Sequence, residues 1–313
     1  MDLRAELPQL GDGRPFVTDG GIETVLIFHE GIDLPDFASF TLVEDDSGIE
    51  AMRAYYEPYL QIARDNDTGF VLEAPTWRAN PDWGARLGYD AERLAAVNRR
   101  AIALMEEIRE AHPEVAPIVI SGCIGPRGDA YAPAELMSAQ EAERYHVEQL
   151  RTFAETAAEM ATALTLTYAE EAIGIVRAAS AAGIPVVISF TLETDGRLPS
   201  GQALAEAIDQ VDRATESAAA YFMVNCAHPT HFADVFIDGP ESLGRVGGFR
   251  ANASMMSHAE LDESEELDEG DPHDLGARHR ELSESCPQLR VIGGCCGTDH
   301  RHVAEMCVAV MPR

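Results

Sequence analysis

Short apolar runs rich in β-branched and aromatic residues alternate, from one end of the chain to the other, with longer stretches in which apolar residues recur every three or four positions. The short runs predict eight strands, over 16–19, 69–74, 117–123, 160–167, 184–191, 220–226, 245–251 and 290–294. The longer stretches predict helices over 49–63, 91–110, 139–159, 170–182, 202–216 and 300–310. Strand followed by helix, repeated in this way, is the pattern of parallel strands joined by crossover helices. Eight such units in about 300 residues match a (β/α)8 TIM barrel. No break in composition and no Ser/Gly linker divides the chain, so residues 1–313 are read as one α/β domain.

In such a barrel the active site is assembled from loops at the carboxyl ends of the strands. Three cysteines fall there. Cys226 ends strand six, in Tyr221-Phe222-Met223-Val224-Asn225-Cys226, and Cys295 and Cys296 end strand eight, in Gly293-Gly294-Cys295-Cys296-Gly297. The neighbours Cys295 and Cys296 are not expected to bond to each other, since consecutive Cα atoms lie about 3.8 Å apart and an unstrained disulfide needs roughly 4.4 Å or more. The flanking glycines permit a bend that turns both side chains toward one ion. The spacing is not that of a zinc finger, which argues against a local structural knuckle. The competing reading is that all three are small buried packing residues.

Charge narrows the chemistry. The 54 acidic residues outnumber 23 basic ones, the formal net charge is −31, and every basic residue is arginine. Without a lysine there is no Schiff-base, lysine-dependent pyridoxal phosphate or P-loop mechanism. The acidic field repels nucleic acid. Acidic excess without lysine fits a protein that stays soluble in high salt. The densest acidic segment, 260–274, carries nine carboxylates but not in EF-hand order, and reads as a solvated helix face and loop. The first residues form no apolar signal core, and no run approaches the ~20 apolar residues of a membrane span. A cytoplasmic protein with no membrane partner is expected; its six cysteines do not suggest a disulfide scaffold, and a reducing compartment would keep the candidate ligands as thiols or thiolates.

Four motifs then carry a resemblance: Thr18-Asp19-Gly20-Gly21-Ile22-Glu23 at strand one, Gly122-Cys123-Ile124-Gly125-Pro126 after strand three, Val224-Asn225-Cys226 at strand six, and Gly293-Gly294-Cys295-Cys296-Gly297-Thr298 at strand eight. With these the chain resembles the homocysteine S-methyltransferase family over nearly its whole length. The resemblance implies a catalytic Zn2+ on Cys226, Cys295 and Cys296, and a pocket for a thiol amino acid that includes Asp19 and the backbone of Gly20 and Gly21. Asn225, inside the strand-six motif, joins the substrate-binding candidates. Two positions depart from the family. Thr165 stands where members usually carry an acidic residue at the end of strand four, and Ala74 where they often have Thr or Ser. Glu73 or Glu170 is the candidate to supply the missing negative charge.

The chemistry follows from the ligand set. Zinc on three thiolates carries a net charge of −1, a poor activator of water but a centre on which a further thiolate remains nucleophilic. A small-molecule thiol, homocysteine giving methionine by the resemblance, would then take a methyl group from a cationic donor such as S-methylmethionine, S-adenosylmethionine or a betaine-type compound. Trp77, Trp83 and Tyr131 are candidates for a donor pocket or for packing. A folate donor is not expected in a chain of this length. His228 and Cys123 are secondary candidates near the site, and Asp195 is read as either a substrate contact or a turn residue. The alternatives are a zinc hydrolase on the same barrel and a non-catalytic zinc- or thiol-binding protein. Oligomeric state is not legible in the sequence.

Overall fold

Each of the eight apolar runs is a strand in the computed structural model, which describes residues 7–11, 13–128, 136–237, 239–262, 264 and 267–311. The strands are β1 (Phe16–Val17), β2 (Gly69–Glu73), β3 (Ile118–Ile124), β4 (Met160–Leu166), β5 (Val186–Phe190), β6 (Phe222–Asn225), β7 (Val246–Ala251) and β8 (Val291–Gly294). They pair in chain order, all parallel, and β8 returns to β1 to close the barrel, with Phe16 in register with both Gly69 and Val291. The long helices are α1 (Asp46–Asp65), α2 (Ala91–Ala111), α3 (Ala139–Ala154), α4 (Ala169–Ala182), α5 (Leu204–Thr215), α6 (Pro272–Ser285) and α7 (His300–Val310).

Local chemistry sets the helix starts. Asp45, Asp90 and Ser138 each accept a backbone N–H of the first turn they precede, and Glu141 closes a capping box with Ser138. Two differences from the sequence reading have physical causes. Helix α3 stops at Ala154, short of 159, because Glu159 is drawn onto β3: its N–H donates to the Ile120 carbonyl and its carboxylate accepts the Ile120 N–H, both at 2.9 Å. Helix α6 has no range in the sequence reading, which gives this region only as a solvated helix face and loop; Asp271 caps it, accepting the His273 N–H, and Pro272 occupies its first position, so the acidic run leads into a helix as its charges thin out. Between β6 and β7 the described residues make the short helix Pro229–Phe232 and two 3-10 turns.

The barrel interior has two tiers. Side chains alternate in and out along each strand, and the inner positions Phe16, Val71, Val119, Met160, Val187, Met223 and Val291 fill the lower tier with apolar groups. Two residues further along β1 to β6 the inner positions read Thr18, Glu73, Ser121, Thr162, Ser189 and Asn225, and β7 adds Arg250, all buried and all polar. The outward strand residues pack under the helices in the main core, with Phe70, Leu72, Ile120, Ile188, Phe222 and Phe249 among them. Burial of that face at roughly 25 cal/mol per Å2 drives closure; the polar upper tier does not, and it floors the site. Among the described residues no helix is long and apolar enough to cross a membrane.

Candidate active site at the barrel mouth

The three cysteines converge. Cys226 follows the last residue of β6, Cys295 and Cys296 follow β8, and ligand atoms of all three lie within 4.8 Å of one another. The Cys226 and Cys296 sulfurs are 3.8 Å apart. Two sulfurs on one tetrahedral zinc, each about 2.3 Å from the ion, stand about 3.8 Å apart, so the separation suits a shared ion. Among the described residues this is the only cluster of three or more metal-competent side chains, and it contains no histidine or carboxylate.

One feature departs from the expectation of free thiols: Cys226 and Cys295 are joined as a disulfide, their Cα atoms 5.4 Å apart. That separation lies inside the span a disulfide bridges. The bond and a metal compete for the same two sulfurs, so the metal-competent form is the reduced one.

Backbone geometry aims these sulfurs. Cys226 has φ of +54°, a left-handed conformation that a β-carbon disfavours. Neighbours on both sides hold it there: its N–H donates to the Arg250 carbonyl at 3.1 Å, and its own carbonyl accepts from His258 Nε2 at 2.6 Å. Glu193 lies 3.3 Å from the other ring nitrogen of His258. The vicinal pair is set by a close approach of the β1 and β8 loops. The Gly21 N–H donates to the Thr298 carbonyl at 3.0 Å and the Gly294 N–H to the Asp19 carbonyl at 2.9 Å. A β-carbon on Gly20 would sit 2.8 Å from the Thr298 carbonyl, and one on Gly21 would run into the Cys295 carbonyl.

A cavity of about 260 Å3 opens beside the sulfurs, its wall including Glu23, Glu73, Trp77, Arg78, Cys123 and Arg250. The candidates Asp19, Gly20, Gly21, Glu73, Thr165 and Asn225 all line it together with the cysteines, and so does Ala74. Their roles differ. Asn225 is a bracket: its Oδ1 accepts from the Thr165 N–H at 2.8 Å and from the Ser189 hydroxyl at 2.7 Å, and its Nδ2 donates to Thr165 Oγ1 at 2.8 Å and faces Cys295 Sγ at 3.9 Å. Thr165, with φ of +64°, is held in place by that bracket.

Asp19 is committed within the protein. Its Oδ1 accepts from Arg250 Nη2 at 2.7 Å and from Thr18 Oγ1 at 3.1 Å, and its Oδ2 from the Tyr55 hydroxyl at 2.8 Å. Arg250 also donates to the carbonyls of Gly294 and Gly20, at 3.0 and 3.1 Å. Buried Glu73 has its pKa pushed up to about 7 by loss of water, against the pull of the Arg250 charge and of hydrogen bonds from Thr162 and Ser121. Burial, with Glu73 nearby, raises the Cys123 thiol well above its ordinary range, so Cys123 is a neutral wall of the cavity.

The remaining candidates separate cleanly. Trp77 lines the cavity, whereas Trp83 lies outside it with the Arg78 guanidinium stacked 3.7 Å from its ring. Tyr131 lies outside the described residues. His228 is buried away from the cavity, its pKa lowered to about 4 chiefly by burial, and its Nδ1 accepts the Thr230 N–H as a helix cap. Asp195 is a turn residue, accepting the Arg197 N–H at 3.1 Å. Glu170 bonds to Gln210 on the outer face. Sequence reasoning missed Arg250 and His258. The signal for Arg250 was present, an arginine at an inward position of an otherwise apolar strand; His258, distant in sequence and preceding an acidic run, gave none.

A parallel eight-stranded barrel with a sulfur-only cluster at the carboxyl ends of its strands defines a class, that of enzymes built to act on a soft or thiol ligand at the barrel mouth. The sequence matches the family model described as homocysteine S-methyltransferase over residues 16–310, and the chain belongs to that family. No curated protein matches it. Its fold is similar to that of the homocysteine methyltransferase MmuM from Escherichia coli. The metallated form of that protein superimposes with a TM-score of 0.75 at 17% identity, covering 98% of this chain and 99% of the other. The oxidized form gives 0.75 at 18% identity over the same shares, and the apo form 0.70 at 15%.

Proposed function

We propose that this chain is a zinc-dependent S-methyltransferase of the cytoplasm that moves a methyl group from a cationic donor to a small-molecule thiol, with homocysteine as acceptor and methionine as product. The observation that carries this reading is the meeting of Cys226, Cys295 and Cys296, from two distant parts of a family member's sequence, within 4.8 Å on the wall of one cavity. In the reduced protein these three sulfurs would hold the ion. When bound, zinc supplies acidity to an acceptor thiol, so that the acceptor is present as a thiolate near neutral pH. A sulfur-only donor set favours this over water activation, which is the province of histidine and carboxylate sites.

The chain's own residues do the rest. His258 and Asn225 position the loops that bear the sulfurs, and the Gly20–Gly21 turn lets the β1 loop close against Cys295. Bringing two small reactants into line inside a walled cavity is worth several orders of magnitude in rate. Trp77 offers an aromatic face, and Glu23 a carboxyl bonded to the Ser39 hydroxyl at 2.9 Å, on the wall where a sulfonium or quaternary ammonium donor would enter.

The test is direct. Reduced protein should bind about one zinc per chain and should methylate homocysteine when offered S-methylmethionine, S-adenosylmethionine or betaine. A zinc-loaded protein that methylates no thiol with any of the three donors overturns the reading.

A further inference from the structure

A second cavity, of about 220 Å3, lies outside the barrel between the segment that follows β1, helix α1 and the start of α7. Its wall shares no residue with that of the cavity at the barrel mouth. Two departures from regular helix shape it. From Val25 to His29 the chain winds as a π-helical turn, with the Glu30 N–H donating to the Val25 carbonyl at 3.1 Å, and Val25, Leu26 and His29 all face the cavity wall. Such turns are rare and frequently mark functional sites. Opposite, Pro58 stands inside α1. It has no N–H to give to the carbonyl of Ala54, one turn earlier on the same wall, so that acceptor loses its regular helix donor.

The chemistry of the wall is one-sided. Its floor is aromatic: Tyr55 and Tyr59 are both buried, their ring centroids 5.2 Å apart and the rings inclined at 55°. The Tyr55 hydroxyl is spent on Asp19 Oδ2 at 2.8 Å, so it is mainly ring carbon that Tyr55 gives the cavity. The mouth is acidic. Asp299 and Glu30 line it, and Glu269 stands 3.0 Å from His29. One guanidinium, that of Arg301, serves both Asp299 and Glu269, at 2.6 and 2.8 Å, so two carboxylates share a single positive charge and Glu30 adds a third carboxylate. Burial pushes the Asp299 carboxyl up, but hydrogen bonds from His302 and Arg301 hold it well below the usual carboxylate range, so it stays ionised.

These features choose among ligands. Carboxylates at the mouth reject an anion. Among the described residues no cluster of three metal-competent side chains lies here, which argues against a bare metal ion. A volume below the roughly 300 Å3 of ordinary ligand pockets suits a compact molecule. Aromatic rings under an acidic mouth attract a cation whose charge is spread over carbon.

We propose that this crevice is a second small-molecule site, separate from the barrel mouth, and that it takes a compact organic cation with a methylated ammonium head. The proposal goes beyond thiol methylation and does not depend on it, since neither a metal nor a methyl donor enters the binding.

The probe is choline, set against 3,3-dimethylbutan-1-ol, in which carbon replaces the charged nitrogen. Both are titrated into the full chain by calorimetry at one fixed ionic strength, because the acidic surface gathers any cation at low salt. Choline should bind saturably and about fivefold or more tighter than its neutral twin, the scale of a partly desolvated cation over aromatic rings. Ala54 is exposed on α1, so Ala54→Phe fills the crevice without entering the core, and it should weaken choline by about tenfold or more with an unchanged urea midpoint. Glu30→Gln, also at an exposed position, should weaken choline about threefold and leave the alcohol unchanged. Equal affinity of the wild type for the two probes overturns the proposal, as does the absence of saturable choline binding. Choline binding that survives in Ala54→Phe protein and is lost in Trp77→Ala protein also overturns it, and places the cation at the barrel mouth instead.

Discussion

Arg250 carries more of the site's architecture than any single cysteine. Its guanidinium ties the Asp19 carboxylate to the carbonyls of Gly20 and Gly294, and so fastens β7 to both loops that frame the sulfurs. Both members of the Arg250–Asp19 pair are nearly inaccessible to water. Removing one partner of such a pair strands the other charge, and we expect Arg250→Met to lower stability by about 3–5 kcal/mol, read as the shift of the urea midpoint. An unchanged midpoint would show that Asp19 is held by Tyr55 and Thr18 alone. Cys296 gives the complementary prediction. It lies outside the disulfide, 3.8 Å from Cys226. Cys296→Ala should therefore fold normally and lose most of its bound zinc after reduction, measured as metal per chain; full metal content in that variant contradicts the ligand assignment. The cysteines were legible because a thiol at the end of a strand advertises its chemistry. What Arg250 and His258 do depends on contacts between residues dozens to hundreds of positions apart, which no local pattern records.

At the scale of elements, the pattern of apolar positions located all eight strands and placed six helices, because burial on one face is written directly into period two or period 3.6. The differences fell at element ends, where tertiary contacts decide. Glu159 leaves α3 for the edge of β3, and α6 begins only where Asp271 and Pro272 can start it. Helices α3 and α4 meet closely at Gly174, where a β-carbon would lie 2.5 Å from the Glu143 amide nitrogen and 2.7 Å from the Ala139 carbonyl, against helix backbone that cannot rotate away. Gly174→Ala, normally favourable within a helix, should here destabilise by about 1–3 kcal/mol in the same urea measurement. Helix α6 adds a pH dependence through His279, which is fully buried and has its pKa lowered to about 4 by desolvation, from an ordinary value of 6.5. Between those two values the unfolded chain takes up a proton at this position that the folded chain refuses, so stability is retained above the upper value and lost as pH falls through the window. The slope is at most about 1.4 kcal/mol per pH unit. His279→Gln should flatten the loss between about pH 6.5 and about 4, and an identical pH profile for the variant would mean that His279 is protonated in the native state.

At the scale of the whole molecule, the barrel and the charge make opposite demands. Closing eight strands gathers 54 carboxylates and 23 guanidinium groups into one compact body with a net charge of −31. Many arginines are paired across the surface, as Arg93 is with Glu44, Arg99 with Glu155 and Arg109 with Glu159. Such exposed pairs contribute little each, and the remaining carboxylates repel one another over a Debye length of about 10 Å at 0.1 M salt. The unfolded chain spreads the same charges further apart, so self-repulsion falls mainly on the native state. Potassium chloride should therefore raise the thermal midpoint, steeply as the Debye length shrinks from about 10 Å toward about 3 Å at 1 M. Above that point further stabilisation must come from effects other than screening. Sucrose separates the two, because it favours compact states by exclusion from the surface without shortening the Debye length. If the midpoint is flat in potassium chloride up to about 1 M yet rises in sucrose, repulsion among the carboxylates is not what limits this barrel, and the acidic surface has some purpose other than solubility in salt.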